Sequence, residues 1–167
     1  GYLYYGVHRT PTGWVYREWA PKARALHLIG DFNGWNRISH PLKKLENGAW
    51  EIVLPGMKAL SHGQHVLVEV EDCNGVKRDR IPLCIQRIVR PEGSERFVGE
   101  VWEPENPFLW TDSDYSPVRA TPLLVYEAHI GMATEKGGVG TYAEFTRDVL
   151  PRIARAGYNA IQLMGIM

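Results

Sequence analysis

Short runs of alternating apolar and polar residues, separated by turn residues, fill most of the first 90 positions of the chain. These runs lie at residues 14–19, 26–29, 50–54, 66–70 and, less strictly, 76–80 and 84–89. Two Asn-Gly pairs, Asn47-Gly48 and Asn74-Gly75, supply residues that tolerate the positive φ angles of tight hairpins. Short strands spaced by about 8–12 residues indicate an all-β sandwich or barrel. We therefore expect a β domain over residues 1–90.

Residues 91–122 differ in composition from the region before them. This segment is rich in Pro, Glu, Ser and Asp, and its aromatic residues are irregularly spaced. Irregular segments run over protein surfaces, and large apolar groups there usually contact something. We therefore expect an extended connector that lies along the surface of a domain.

Beyond residue 122 the sequence pattern becomes that of strands and a helix. Nearly continuous apolar runs at 123–129 and 160–164 are typical of parallel strands that are buried on both faces. A helix predicted from Thr141 to Ala156 connects them, because Thr141 and Glu144 form a capping box. Residues 123–167 therefore predict a strand–helix–strand unit with a right-handed crossover.

The sequence of this helix predicts where it bends, where it ends and which of its side chains are buried. Pro151 lacks a backbone donor, so we expect it to bend or restart the helix, and Gly157 is suited to end it. The apolar residues at helical spacing are Tyr142, Phe145, Val149 and Ile153. We expect these four side chains to be buried against the β domain and connector or against a second copy of the chain.

Charge and cysteine content exclude several classes of function. Nineteen Lys and Arg residues balance nineteen Asp and Glu residues. A neutral chain without a basic stripe is poorly suited to bind nucleic acid or anionic lipid, so we predict no nucleic-acid and no membrane partner. Two cysteines cannot make a disulfide scaffold, which favours a reducing, cytoplasmic setting.

Two short motifs suggest a cofactor or a metal ion, and both are weak. Residues 138–143 fit the pattern G-x-G-x-x-A, but they lie well after the preceding strand instead of in its turn. His62 and His65 could bind a metal ion, but two imidazoles without a further ligand make a poor site. We therefore predict no cofactor and no metal site.

Tryptophans are the best binding signal, because flat aromatic faces stack on the apolar faces of pyranose rings. Large rings in alternating strands are more often core residues, and those in such runs are Trp14, Trp19 and Trp50. Trp35 differs because it lies in a loop, between Asn33 and Asn36. Ligand contact and a structural plug are both open for this ring. The candidate substrate-binding residues are Trp35, Asn33 and Asn36.

Glu127 and His129 form a second candidate pair. They are two residues apart in a predicted strand, so their side chains project to the same side. They could line the end of a barrel strand, where catalytic groups collect. The alternative is a buried polar pair that stabilises the floor of the barrel.

Several segments resemble known protein families. Residues 16–21 (YREWAP) and 30–36 (GDFNGWN) resemble the family 48 carbohydrate-binding module of α-glucan-active enzymes. Residues 126–131 (YEAHIG) resemble the first barrel strand of glycoside hydrolase family 13. Residues 149–153 and 157–164 are similar to the helix and second strand of 1,4-α-glucan branching enzymes.

The resemblance implies a fold and an activity. It implies an immunoglobulin-like β-sandwich followed by the first strand–helix–strand of a truncated (β/α)₈ barrel. The parent enzyme would transfer α-1,4-glucan segments to a 6-hydroxyl group and so form α-1,6 branches in glycogen. In that family an Asp nucleophile and a Glu acid/base follow later barrel strands, so we expect no catalytic residue and no activity in this chain alone. The alternatives are a non-catalytic glycogen-binding module and a debranching hydrolase of the same superfamily.

The resemblance also implies partners. Glycogen or starch is the implied partner, although Val76 stands where glycogen-binding regulators have a second tryptophan. A module that mainly braces the barrel is therefore the alternative to a sugar-binding one. In a truncated barrel the strands of residues 123–167 would have unpaired edges, so we expect self-association through this segment.

Overall fold

Residues 1–116 and 122–166 are described by the computed structural model, and they are built mainly from β-strands. Residues 117–121, within the predicted connector, and Met167 lie outside the described residues. Contacts divide the chain into two compact units, residues 1–109 and 110–167. The strands are β1 (Gly6–Thr10), β2 (Gly13–Trp19), β3 (Ala25–Gly30), β4 (Lys43–Lys44), β5 (Ala49–Pro55), β6 (His65–Glu71), β7 (Lys77–Arg80), β8 (Arg87–Val89), β9 (Val98–Glu100), β10 (Val125–His129) and β11 (Ala160–Met164).

Two sheets pack face to face in the first unit. One has the strand order β1-β2-β5-β4, and the other has the order β3-β6-β9-β8 with β7 paired to β6. Their facing sides share one buried core, which includes Trp14, Tyr16, Trp50, Leu26, Leu28, Val66 and Val68. This is the immunoglobulin-like β-sandwich that the alternating runs and the resemblance predict. The two Asn-Gly turns are confirmed as well, since Gly48 and Gly75 have φ angles of 83° and 80°.

The expectation that Trp19 is a core residue is wrong. Trp14 and Trp50 are buried core residues, whereas Trp19 is 55% exposed. The reason is the period of two along a strand: Trp14 and Trp19 are five residues apart in β2, so they cannot point to the same side of the sheet.

The second sheet extends into the stretch predicted as connector. Strand β9 pairs with β6 through His65 and Val66, and with β8 through three residue pairs. Gly99 at its centre allows this close approach, because a Cβ atom there would lie 3.1 Å from Ile85 and from Pro82. Strand β9 has three residues, which is too short to show an alternating apolar–polar pattern. It forms by pairing with strands that are distant in the sequence, so no local pattern predicts it.

The second unit is the predicted strand–helix–strand. Strands β10 and β11 are parallel, with Val125 opposite Ala160 and His129 opposite Met164. Phe145 and Ile153 from the helix are buried in a cluster with Ala128 of β10. Of the four helix side chains expected to be buried, these two are buried and Val149 is partly buried, whereas Tyr142 is 59% exposed. The cluster that buries them consists of residues of the second unit, whereas the expected partner was the β domain and connector or a second copy of the chain.

The connecting helix begins and restarts where the sequence predicts. It consists of α1 (Tyr142–Glu144), one π-helical turn (Phe145–Val149) and α2 (Leu150–Arg155). The Thr141 hydroxyl accepts from the Glu144 N–H at 3.2 Å, and the Glu144 carboxylate accepts from the Thr141 N–H at 3.1 Å. Pro151 stands in the first turn of α2, where a missing donor costs little. No helix within residues 1–116 or 122–166 is long and apolar enough to cross a membrane.

Candidate functional site

The loop after β3 holds Trp35 in an unusual backbone conformation. A short 3₁₀ turn, Asp31–Asn33, is followed by Gly34 and Trp35, both with a φ of 60°. Positive φ is uncommon for a residue with a bulky side chain. The Trp35 N–H donates to the Gly30 carbonyl at 2.8 Å, which closes the loop. This bond within the loop therefore helps to hold the Trp35 backbone in a conformation that local propensity disfavours.

Hydrogen bonds orient the indole of Trp35. Its Nε1–H donates to Asp31 Oδ1 at 3.0 Å, and Asp31 Oδ2 accepts from the His65 N–H at 2.7 Å. Asp31 therefore connects the Trp35 ring to the first residue of β6. With its polar edge occupied, Trp35 is still 38% exposed, so part of the ring surface faces solvent in a fixed orientation.

Asn33 and Asn36 use their side chains to build this loop. Asn33 Oδ1 accepts from the Gly30 N–H at 3.1 Å, and Asn33 Nδ2 lies 3.2 Å from the Leu28 carbonyl. Asn36 Oδ1 accepts from the N–H groups of Ile38 and Ser39 at 2.9 and 3.1 Å. Their placement beside Trp35 agrees with the sequence analysis, and their bonds support the ring from within the loop.

Arg37, next to the loop, anchors a network of charges that sequence reasoning missed. Its guanidinium donates to both Asp79 oxygens at 2.6 and 2.8 Å and to Glu69 at 2.5 Å. Glu69 is buried and also accepts from Lys77 at 3.1 Å. Burial alone would raise the pKa of Glu69, but the bonds from Arg37 and Lys77 hold that pKa below its usual value. The only sequence signal was a carboxylate within the alternating run of β6.

A groove borders this network. It has a volume of about 610 Å³ and is lined by Arg37, Leu67, Lys77, Arg78, Asp79, Ile81, Arg96 and Phe97. Its walls combine charged hydrogen-bonding groups with the half-exposed ring of Phe97. The Arg37 bond holds the pKa of Asp79 below its usual value. Such a groove can bind a ligand that presents both hydroxyl groups and apolar faces.

Glu127 and His129 belong to the second unit and share one face of β10. The opposite face packs on the helix through Ala128, so Glu127 is exposed beside Gln162 of β11. His129 is partly buried, and its Nδ1 has no hydrogen-bond partner among the described residues. The predicted orientation is therefore observed, and the two side chains make no hydrogen bond to each other within the described part of the chain.

The other sequence candidates do not assemble into a reactive site. Among residues 1–116 and 122–166, no three His, Cys, Asp or Glu side chains converge as metal ligands. Cys73 is exposed, and Cys84 is half-buried. His65 instead contacts Asp31 and Glu100, with its ring nitrogens 3.6 and 3.9 Å from their carboxylates.

Known proteins resemble the chain in sequence over its whole length. Residues 4–84 match the family model of carbohydrate-binding module 48, the isoamylase N-terminal domain. The chain is 39% identical to a 1,4-alpha-glucan-branching enzyme of Dictyostelium discoideum and 42% identical to one of Rhizophagus irregularis. Each match covers 100% of this chain and 25% of the relative. The chain therefore spans about a quarter of the length of these relatives.

Solved structures resemble the chain in fold. A pullulanase of Anoxybacillus sp. LM18-11 complexed with maltotetraose has a TM-score of 0.68 at 16% identity, covering 98% of this chain and 25% of that one. The GBS pullulanase SAP, also in complex with maltotetraose, has a TM-score of 0.64 at 20% identity, covering 95% and 23%. The chain is thus similar over its whole length to 1,4-alpha-glucan-branching enzymes, and its residues 4–84 match the model of carbohydrate-binding module family 48.

Proposed function

We propose that this chain is the N-terminal part of a glucan branching enzyme, and that its β-sandwich binds α-glucan. The parent would transfer α-1,4-glucan segments to a 6-hydroxyl group during glycogen biosynthesis. In this proposal the sandwich is the binding module, and through β9 it extends beyond the predicted boundary at residue 90. The rest of residues 91–122 connects the sandwich to residues 123–167, which begin the catalytic (β/α)₈ barrel. We place the protein in the cytoplasm, although an Arabidopsis thaliana relative at 42% identity is named as chloroplastic/amyloplastic.

The observation that carries glucan binding is the half-exposed, hydrogen-bonded indole of Trp35. A pyranose ring has an apolar face that stacks on an aromatic ring, and a ring already held in place loses little entropy on binding. Asn36 and Arg37, exposed beside it, offer amide and guanidinium donors to sugar hydroxyls. The same loop bonds also fit the alternative in which the module mainly braces the barrel.

Affinity electrophoresis in gels that contain glycogen tests the binding role of Trp35. We expect glycogen to retard the 167-residue chain, and Trp35→Ala to lower the affinity about tenfold, because it removes the stacking face. Trp19→Ala is the matched control, since Trp19 is an exposed indole of the other sheet. Retardation that survives Trp35→Ala would place the binding surface elsewhere.

An activity assay tests whether the reacting carboxylates of the parent enzyme lie outside residues 1–167. The reacting carboxylates of the related family follow later barrel strands, so we expect the 167-residue chain to leave amylose unchanged. The measurement is the absorption spectrum of the amylose–iodine complex after incubation with pure chain. A shifted spectrum would mean that residues 1–167 contain a catalytic site, and it would overturn this part of the proposal.

A further inference from the structure

A row of polar side chains crosses the outer face of the second sheet. His65, Glu100 and Arg87 are direct neighbours on β6, β9 and β8. His65 Nε2 lies 3.9 Å from one Glu100 oxygen, and Arg87 Nε lies 3.3 Å from the other. Directly opposed residues of antiparallel strands project to the same face. The row therefore spans two strand spacings, or about 10 Å.

Each end of this row carries a half-exposed indole. At one end, Asp31 bonds to both the His65 N–H and the Trp35 Nε1–H. At the other end, the Arg87 guanidinium lies 4.4 Å from the centre of the Trp102 ring. Trp35 and Trp102 are 38% and 40% exposed. A continuous series of contacts thus joins two aromatic surfaces through hydrogen-bonding groups.

The Trp102 ring is held in place. The Arg87 guanidinium lies over it, and the ring of His62 meets it edge-on at 4.8 Å between centroids. Trp102 is not part of the sandwich core, so packing in the core does not account for its position. The ring is held by its neighbours and is 40% exposed, so it can contact a ligand with little loss of conformational entropy.

The charges of the row select the class of ligand. The row carries two carboxylates, Asp31 and Glu100, and one guanidinium, Arg87, at its end. It therefore does not favour an anion such as phosphate, which both carboxylates would repel. Carboxylates accept hydrogen bonds from hydroxyl groups, while the guanidinium donates to them. Two flat apolar surfaces separated by such groups fit an uncharged chain of sugar rings.

We propose that Trp102 is a second aromatic subsite, and that Arg87, Glu100 and His65 bind hydroxyl groups of the same linear α-glucan chain between Trp102 and Trp35. This inference rests on the proposed glucan-binding function of the sandwich. It makes binding depend on chain length, because a short oligosaccharide covers one indole and a longer one reaches both.

Calorimetric titration of the 167-residue chain with maltotriose and maltoheptaose tests this subsite. We expect maltoheptaose to bind more tightly than maltotriose, and Trp102→Ala to lower the maltoheptaose affinity about three- to tenfold, with a smaller effect on maltotriose. Trp102→Leu, which retains apolar bulk without a flat ring, is expected to behave like Trp102→Ala. Trp102→Phe is expected to keep most of the affinity.

The variants separate the two proposals. Unchanged maltoheptaose affinity in Trp102→Ala and Trp102→Leu, together with a loss in Trp35→Ala, would overturn the Trp102 subsite and leave glucan binding intact. An equal loss in the Trp19→Ala control would also overturn it, since Trp19 lies on the other sheet. A wild-type chain that binds neither oligosaccharide would overturn both proposals.

Discussion

At the scale of single residues, Glu18 is a buried carboxylate that stabilises the sandwich. It accepts hydrogen bonds from the Tyr16 hydroxyl at 2.6 Å and from the N–H groups of Trp19 and Leu83 at 2.9 Å. It thereby connects β2 to the loop before β8, where Cys84 has a φ of 55°. Burial, with the nearby charge of Glu18, raises the pKa of Tyr16 well above its usual value. The phenol thus stays a donor at physiological pH.

Removing this carboxylate is expected to destabilise the first unit. Glu18→Ala leaves the buried Tyr16 hydroxyl and the Leu83 N–H without their acceptor, so we expect the free energy of unfolding to fall by about 2–4 kcal/mol. Urea denaturation followed by tryptophan fluorescence measures this loss. The exposed Glu46, replaced by Ala, serves as the control and is expected to change stability by less than about 0.5 kcal/mol. Equal effects of the two substitutions would contradict a stabilising role for Glu18.

At the scale of the element, the capping box makes the start of the connecting helix sensitive to acid. Lys136 donates to Glu144 at 2.6 Å, and Thr141 donates to the other carboxylate oxygen through its N–H and its hydroxyl. The Lys136 bond first, and then the Thr141 bonds, lower the pKa of Glu144 to about 2. The folded pKa is depressed. The stabilisation is therefore present above the unfolded pKa of about 4.5 and is lost as the pH falls toward 2.

An acid titration followed by NMR tests this helix start. We expect the side-chain carboxyl resonance of Glu144 to titrate near pH 2, and amide protection in residues 142–155 to weaken over the same range. Glu144→Gln still accepts from Thr141 but carries no titrating carboxyl, so the acid-dependent loss of protection is expected to be reduced. A Glu144 carboxyl that titrates near pH 4.5 would show that the cap does not depress its pKa.

At the scale of the whole molecule, the second unit leaves apolar side chains of both its strands exposed. Within the described residues, β10 and β11 pair only with each other, and Val125, Tyr126 and Met164 are 38–44% exposed. Open strand edges beside exposed apolar side chains pair readily with other chains. We therefore expect the 167-residue chain to self-associate through residues 123–167 as its concentration rises.

Sedimentation equilibrium over a range of concentrations measures this association. We expect a weight-average mass that increases above 19.0 kDa with concentration, and a weaker increase for Val125→Lys. Val125 lies on the face of β10 opposite the helix-packed residue Ala128, so a charge there does not disturb the helix contact. A mass that stays at the monomer value at every concentration would show that the exposed strands do not associate.

Features that depend on near neighbours in the chain were determined by the sequence alone. The period of two in β2, β3, β5 and β6, the Asn-Gly turns and the Thr141–Glu144 capping box each involve residues a few positions apart. Their physical causes, backbone geometry and local hydrogen bonds, act within a segment. The loop position of Trp35, between Asn33 and Asn36, was predictable for the same reason.

Contacts between distant segments were decided only by the tertiary structure. Arg37 meets Glu69 and Asp79 because β6 and β7 pair in a particular register, and Trp102 meets Arg87 because β9 pairs with β8. No local pattern encodes either pairing, since a shift of one residue in register would move every side chain to the other face of the sheet. The candidate ring at Trp35 could therefore be predicted from the sequence, while the surface around it depends on how the second sheet is assembled.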